Sequence, residues 1–233
     1  MGSVGKDYGS ERHLLSYRKA KSESLNQAIL LALNAPTGAS IEWLYPDRSG
    51  NRGKEVTGLG FLKANAWAKG TAPALSAWKD FWPQGGRAQS WDGVAILNVD
   101  GVPQRWLLFE AKSNHPEFVG ARTKATPKSL EIIEKALNRT KKEFGVHRFF
   151  DWTASYYQFA NRLAAASFLN RHGVPTMLVE VFFTGDRFPD GTPCPAAADA
   201  WQPLLEARRL TLGLAPDATS EHVVAVFLPA FAH

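Results

Sequence analysis

Very little in this chain would staple, span or repeat it. Cys194 is the only cysteine in 233 residues, which rules out a disulfide within the chain and a zinc site built from several thiolates. The longest apolar runs, such as 28-AILLAL-33, fall far short of the roughly 20 residues that a membrane-spanning helix needs. There is no internal repeat and no low-complexity tract. Neither sign of charge dominates. The 27 Lys and Arg residues face 22 Asp and Glu, and the net charge of +5 permits a phosphate-rich partner without demanding one. The opening stretch, MGSVGKDYGSERHLL, is polar and glycine-rich and lacks the apolar core of a signal peptide, so a reducing, cytoplasmic setting is expected.

Missing motifs remove further chemistries. The glycines of 57-TGLG-60 and 84-QGG-86 are not followed by the lysine of a phosphate-cradling loop. No Gly-x-Ser-x-Gly elbow is present, and Cys194 has no activating base at a recognisable spacing. His115 and His147 have no spacing partner for a metal and read as non-ligands. No helix-turn-helix or zinc-finger reader is visible, which would leave any targeting to a partner protein.

What is there reads as one α/β domain over residues 1–233. A hydrophobic share of 45% with 21% charged residues is ordinary for a globular chain long enough to bury a core. Ser22 to Leu33 predicts a helix stopped by Asn34-Ala35-Pro36, and 40-SIEWLYP-46 predicts a short strand. A polar loop over 47–60 carries Arg48, Arg52 and Lys54, and a tryptophan-rich segment over roughly 73–86 predicts a helix broken at Pro83. The clearest unit is 91-WDGVAILNVDGVPQRWLLFEAKS-113, two β-type runs around the turn signal Asp100-Gly101. Helices are predicted over 126–145, with Thr126 as cap and Pro127 at the first helical position, and over 153–173, with Thr153 as cap. The apolar run 174–184 reads as a buried strand, 196–214 as a helix despite Pro203, and 222–228 as a last strand. A strand followed by helices and a further buried strand implies a crossover and a mixed sheet.

The stretch that asks for chemistry is 107-LLFEAKS-113. An acid followed two residues later by lysine occurs once in this chain, about as often as its composition yields by chance, so Glu110-x-Lys112 alone carries nothing. Its surroundings carry more. Strand side chains alternate, so Glu110 and Lys112 share a face. A tight turn at Asp100-Gly101 sets Asp92 opposite Phe109, whereas Pro103 argues for a longer loop over 99–103, which sets Asp92 opposite Glu110. Two carboxylates at that spacing suit one Mg²⁺, which takes oxygen ligands and is often held by only one or two carboxylates. The metal would acidify a bound water and neutralise charge on a scissile phosphate, with Lys112 hydrogen-bonding that water.

Asp92 at a strand start, a hairpin, then apolar residues into Glu110-Ala111-Lys112 resembles the PD-(D/E)xK, or restriction-endonuclease-like, nuclease superfamily. In order of elements the resemblance covers roughly residues 20–185, leaving 186–233 as a carboxy-terminal helix and strand extension. In residues it is sharp over 91–113, and the whole chain is similar to uncharacterised bacterial proteins with this core. It implies a mixed central sheet flanked by helices, and metal held by Asp92, Glu110 and the backbone carbonyl of Ala111. It implies Mg²⁺, with Mn²⁺ able to substitute, and Lys112 orienting the attacking water. The expected partner is nucleic acid, DNA first, and cutting both strands with such folds often takes a homodimer. Many members add an acid from the first helix; Glu23 is the candidate here, with Glu42 second. The chain departs from the pattern in carrying Trp91 rather than proline before Asp92. Its 158-QFANR-162 also lacks the glutamine and tyrosine four apart of the RecB-like branch.

Blander readings stand beside these. Asp92, Glu110 and Lys112 can be surface charges at strand ends. The aromatic run 149-FFDWTASYYQF-159 can stack single-stranded bases or simply bury rings at a helix start, and burial is the simpler account. Gln158 and Arg162, one turn apart, can face the site and contact phosphate or metal-bound water. Arg122, Lys124 and Lys128 can meet a nucleic-acid backbone or only water. Lys135, Arg139, Lys141 and Lys142, interleaved with glutamates, read as a solvent face. The expectation as a whole is a Mg²⁺-dependent nuclease. Its rivals are a non-catalytic nucleic-acid-binding module that keeps the fold and a protein-interaction module.

Overall fold

A computed structural model describes residues 9–46, 56–84, 89–188 and 190–231. The amino-terminal MGSVGKDY, the loop cations Arg48, Arg52 and Lys54, and the glycines Gly85 and Gly86 lie outside the described residues. The amino-terminal half comprises α1 (Ser10–Ala20), α2 (Ser22–Ala32), β1 (Ala39–Tyr45), β2 (Val56–Thr57), α3 (Phe61–Ala64), α4 (Thr71–Phe81), β3 (Ser90–Trp91), β4 (Gly93–Val99) and β5 (Val102–Lys112). It is followed by α5 (His115–Val119), α6 (Pro127–Glu143), α7 (Tyr157–Arg171), β6 (Thr176–Thr184), α8 (Gln202–Leu212) and β7 (Val223–Pro229). Among the described residues β1, β4, β5, β6 and β7 form one five-stranded sheet in that order, and β2 pairs with β3 as a separate ribbon.

The sheet is mixed because of how its strands are joined. A two-residue turn links β4 to β5, so they run antiparallel, while β5 runs parallel to β6 and needs the long crossover through α5, α6 and α7. β7 extends the sheet in parallel beyond β6, so the carboxy-terminal extension completes the main sheet rather than hanging off it.

Alternation along β5 sorts the core into two layers. Trp106 and Leu108 pack with α4, α6 and α7, whereas Leu107, Phe109 and Ala111 pack with α1 and α2 on the other side. Helix α7 is buried all round, from Phe159 to Leu169. A helix with no solvent face has to be enclosed by the domain.

The hairpin resolves the conflict between Asp100-Gly101 and Pro103. Asp100 (φ 51°) and Gly101 (φ 76°) form a two-residue turn, so the five-residue loop is not adopted. Val99 pairs with Val102 and Asn98 with Pro103, but Leu97 pairs with Arg105, so Gln104 is an extra, bulged residue. Pro103 is tolerated because β6 begins only opposite Trp106, leaving no strand on that side to need its missing N–H. The bulge shifts the ladder by one residue, so that Gly93 faces Phe109 and Asp92 comes level with Glu110.

Other expectations need correction. A first helix, α1, precedes the predicted one. The helix predicted from Thr153 starts at Tyr157, because Tyr156 adopts a left-handed conformation (φ 61°) and Thr153 bonds through its N–H and hydroxyl to Asp151. Lys141 is buried rather than on a solvent face, with Nζ bonded to Asn138 and to the carbonyl of Arg148. The aromatic run splits. Trp152 is fully buried and donates to the Leu212 carbonyl, whereas Phe149 is 80% exposed. Pro203 is accommodated in the first turn of α8, where no intrahelical N–H is required.

Gly93 lies where Trp43 stacks on Phe109, with ring centroids 4.4 Å apart. A Cβ there would lie 3.0 Å from Trp43 and 3.1 Å from Phe109. Gly93→Ala is therefore expected to cost ~1–3 kcal/mol by overpacking. The measurement is thermal unfolding, where each kcal/mol corresponds to roughly 2–4 °C in Tm for a domain of this size.

Candidate active site

Four strand and helix ends converge where β4 begins and β5 finishes. Glu110 is 3% exposed and Lys112 8% exposed. The Lys112 ammonium donates to Glu110 Oε1 (2.6 Å) and to Gln158 Oε1 (2.9 Å). The second oxygen of Glu110 accepts from Arg162 Nε at 2.9 Å. Arg162 is held in turn by the Ser90 carbonyl (2.6 Å) and Asn161 Oδ1 (2.7 Å), and its guanidinium stands over the Trp91 ring. Gln158 and Arg162 are four residues apart on α7, so one face of that helix delivers both to the end of β5.

Asp92 sits immediately before β4, partly buried. Its N–H donates to the Phe109 carbonyl (3.1 Å), and its Oδ2 accepts from the Ala111 N–H (2.8 Å). The carboxylate thus satisfies the Ala111 N–H at the point where the partner strand begins, which anchors it beside Glu110.

The electrostatics of the two acids diverge. Burial, and then the negative charge of Glu110, push Asp92 up to about 7, against the smaller opposing pull of Lys112 and Arg162. Burial alone would raise Glu110 as well, but Arg162 and then Lys112 outweigh it and hold Glu110 below its ordinary value. Burial pulls the Lys112 ammonium down, yet Glu110 and then Asp92 hold it above its usual value. Lys112 is accordingly a cation at neutral pH, a donor rather than a base.

Among the described residues no group of three or more His, Cys, Asp or Glu side chains is arranged to hold a metal. A divalent ion at Asp92 and Glu110 would have to complete its shell with backbone oxygen, water or phosphate. Such an ion would answer the charge at Asp92, whose pKa burial and then Glu110 raise to about 7 against the opposing pull of Lys112 and Arg162.

The other sequence candidates do not reach this point. Glu23 is exposed on α2, and α2 packs against the Leu107, Phe109 and Ala111 side of the sheet, opposite to Glu110. Glu42 is exposed on β1 and accepts from Asn98. Arg122 is paired with Asp151 and hydrogen-bonded to Thr153. Lys128 is exposed on α6, whereas Lys124 joins the wall of a cavity of about 740 Å³ that Gln158 and Arg162 also line.

One pair escaped the sequence reading. Glu180 on β6 pairs in register with Glu110, extending the acids across a third strand. It is 3% exposed and bound through both oxygens by Arg208 (2.5 and 2.7 Å), whose guanidinium lies 3.7 Å from the Phe159 ring centre. The available signal was a lone acid inside the apolar run 176-TMLVEVFFT-184, which has to be paired if buried.

No protein-family model, curated protein or solved structure matches the chain.

Two outcomes follow from these charges. Asp92 takes up its proton far above the range it would show unfolded, so the native state binds more protons between about pH 4 and 7. Stability therefore falls as pH rises through that window. Asp92→Asn is expected to raise Tm by a few degrees at pH 8 in metal-free buffer, with the gain fading towards pH 4. Arg208→Ala strands a buried carboxylate and is expected to cost ~3–5 kcal/mol in urea unfolding, most of it recovered when Glu180→Met is added.

Proposed function

We propose that the chain is a metal-dependent nuclease of the PD-(D/E)xK, restriction-endonuclease-like kind, hydrolysing phosphodiesters of nucleic acid, DNA in the first instance. The observation that carries this is the bulge at Gln104, which aligns Asp92 with Glu110 beside a lysine held in its charged form. The order of elements supports the resemblance in outline: helices, then β1, β4 and β5 paired antiparallel with α3, α4 and the β2–β3 ribbon inserted between β1 and β4, then crossover helices and a parallel strand. A basic net charge goes with it.

In this reading Asp92, Glu110 and the Ala111 carbonyl hold Mg²⁺ or Mn²⁺. The ion supplies acidification of a bound water and neutralisation of charge on the phosphate. The protein's own groups do the rest. Lys112, tethered by Glu110 and Gln158, has a third N–H direction with which to orient the attacking water or meet a phosphate oxygen. Arg162 has two of its five N–H groups left after its three protein bonds, and these can face the phosphate. Neither group needs to titrate during turnover.

A second reading draws on a specific observation. Both oxygens of Glu110 already accept from cations, so the cluster is also a closed, self-satisfied ion-pair network. A non-catalytic nucleic-acid-binding module could keep such a network for its fold alone.

Calorimetric titration with Mn²⁺ at pH 8 separates the two, since Asp92 is then deprotonated. The nuclease reading expects binding by the wild type that Asp92→Ala loses, weakening by about tenfold per pH unit below 6, the slope of one competing proton. Absence of Mn²⁺ binding, both alone and with a short duplex or single strand present, would leave the non-catalytic module.

A further inference from the structure

The cavity beside the acids has a composition of its own. About 740 Å³ in volume, it lies within the range of pockets that enclose one small organic ligand. Two aromatic rings contribute to its wall, Trp82 and Tyr157. Trp82 is backed by a stacked Trp78, with ring centroids 6.0 Å apart, and so forms a fixed surface. Tyr157 is partly exposed. Among the described residues the only charged side chains in the wall are cations, Lys124 and Arg162, and no carboxylate lines it.

One polar group in that wall lacks a partner. Gln89 is 4% exposed and donates from Nε2 to the Asn161 carbonyl at 3.3 Å, yet its Oε1 makes no hydrogen bond among the described residues. A buried acceptor left unpaired is costly, and because Oε1 is itself covered by protein, a ligand in the cavity that brings an N–H would relieve it only once the Gln89 amide turns towards it. Aromatic surface, an amide acceptor asking for a donor, and cations towards the acid cluster together describe a planar heterocycle with N–H groups, attached to a phosphate. That is a nucleotide.

A stacked duplex does not present its bases this way. A paired base reaches a pocket in a protein wall only after unpairing, whereas a single strand offers its bases freely. We propose that this cavity receives one unpaired nucleotide, its base against Tyr157 and Gln89 and its phosphate towards Arg162 and Lys112, so that the substrate is single-stranded. The inference rests on the nuclease reading and narrows it. Gln158 and Arg162 link the two places, since each lines the cavity and each also holds a member of the Glu110–Lys112 pair.

Fluorescence anisotropy in metal-free buffer tests this, using labelled short oligodeoxythymidylate and a blunt, fully paired hairpin. The single strand is expected to bind at least tenfold more tightly than the hairpin. Tyr157→Ala should weaken it about five- to a hundredfold, the range of one lost stacked base. Tyr157→Phe should retain binding, and Gln89→Met should weaken it, with unchanged thermal unfolding checking that both variants fold. Equal affinity for the hairpin, no binding of either probe, or wild-type affinity in Tyr157→Ala would overturn the proposal. Mn²⁺ titration of the same samples keeps the two readings apart. Asp92-dependent metal binding with no single-strand preference sinks the pocket and spares the nuclease. Tyr157-dependent single-strand binding without any metal site supports the pocket and sinks the nuclease.

Discussion

A carboxylate that is 3% exposed has to be answered by positive charge or give up its own, and Glu110 is answered twice. Lys112 comes from its own strand and Arg162 from α7, and each of these cations is fixed by further bonds to Gln158, Asn161 and Ser90. The clamp therefore ties the end of β5, the ribbon strand β3 and the first turns of α7 into one unit. Glu180 and Arg208 repeat the same solution one strand over, joining β6 to α8. The sheet is crossed by a row of buried charge, and the helices are positioned by answering it.

Asp92 is the member left incompletely answered. It satisfies the Ala111 N–H, but the negative charge beside it and its burial outweigh the two cations, so it holds a proton up to about pH 7. A purely structural acid would gain from full pairing, as Glu180 has with Arg208. Negative charge left unmet in this way is answered by a proton below about pH 7 and could be answered by a cation above it. The same imbalance costs stability as pH rises towards and above 7, where the carboxylate has to ionise in the fold.

Much of this was legible in the residues. Strand alternation put Glu110 and Lys112 on one face, and the spacing of Gln158 and Arg162 put both on one face of α7. Asp92 was harder, because its alignment with Glu110 depends on a bulge at Gln104 that no turn residue announces. Both halves of the conflicting signal were physically sound: Asp100-Gly101 makes its tight turn, and the one-residue shift that Pro103 seemed to require is supplied elsewhere. Helix α1 was missed because its run from Ser10 to Ala20 is strongly charged and two of the four residues it buries, His13 and Arg18, are themselves polar, which blurs the apolar stripe. Glu23 failed for a reason local sequence cannot carry, since which face of the sheet α2 covers is decided by the packing of Leu25 and Ile29.

The most direct test of the account is whether phosphodiester bonds are cut and which groups the cutting needs. Single-stranded and duplex DNA would be incubated with wild-type protein and with Lys112→Met at pH 8, with Mg²⁺ or Mn²⁺, and resolved on a denaturing gel. The account predicts metal-dependent cleavage by the wild type, with a rate lowered about a hundredfold or more in Lys112→Met, the scale of losing one preorganised donor. Intact DNA in every lane, or equal cleavage by both proteins, would contradict it.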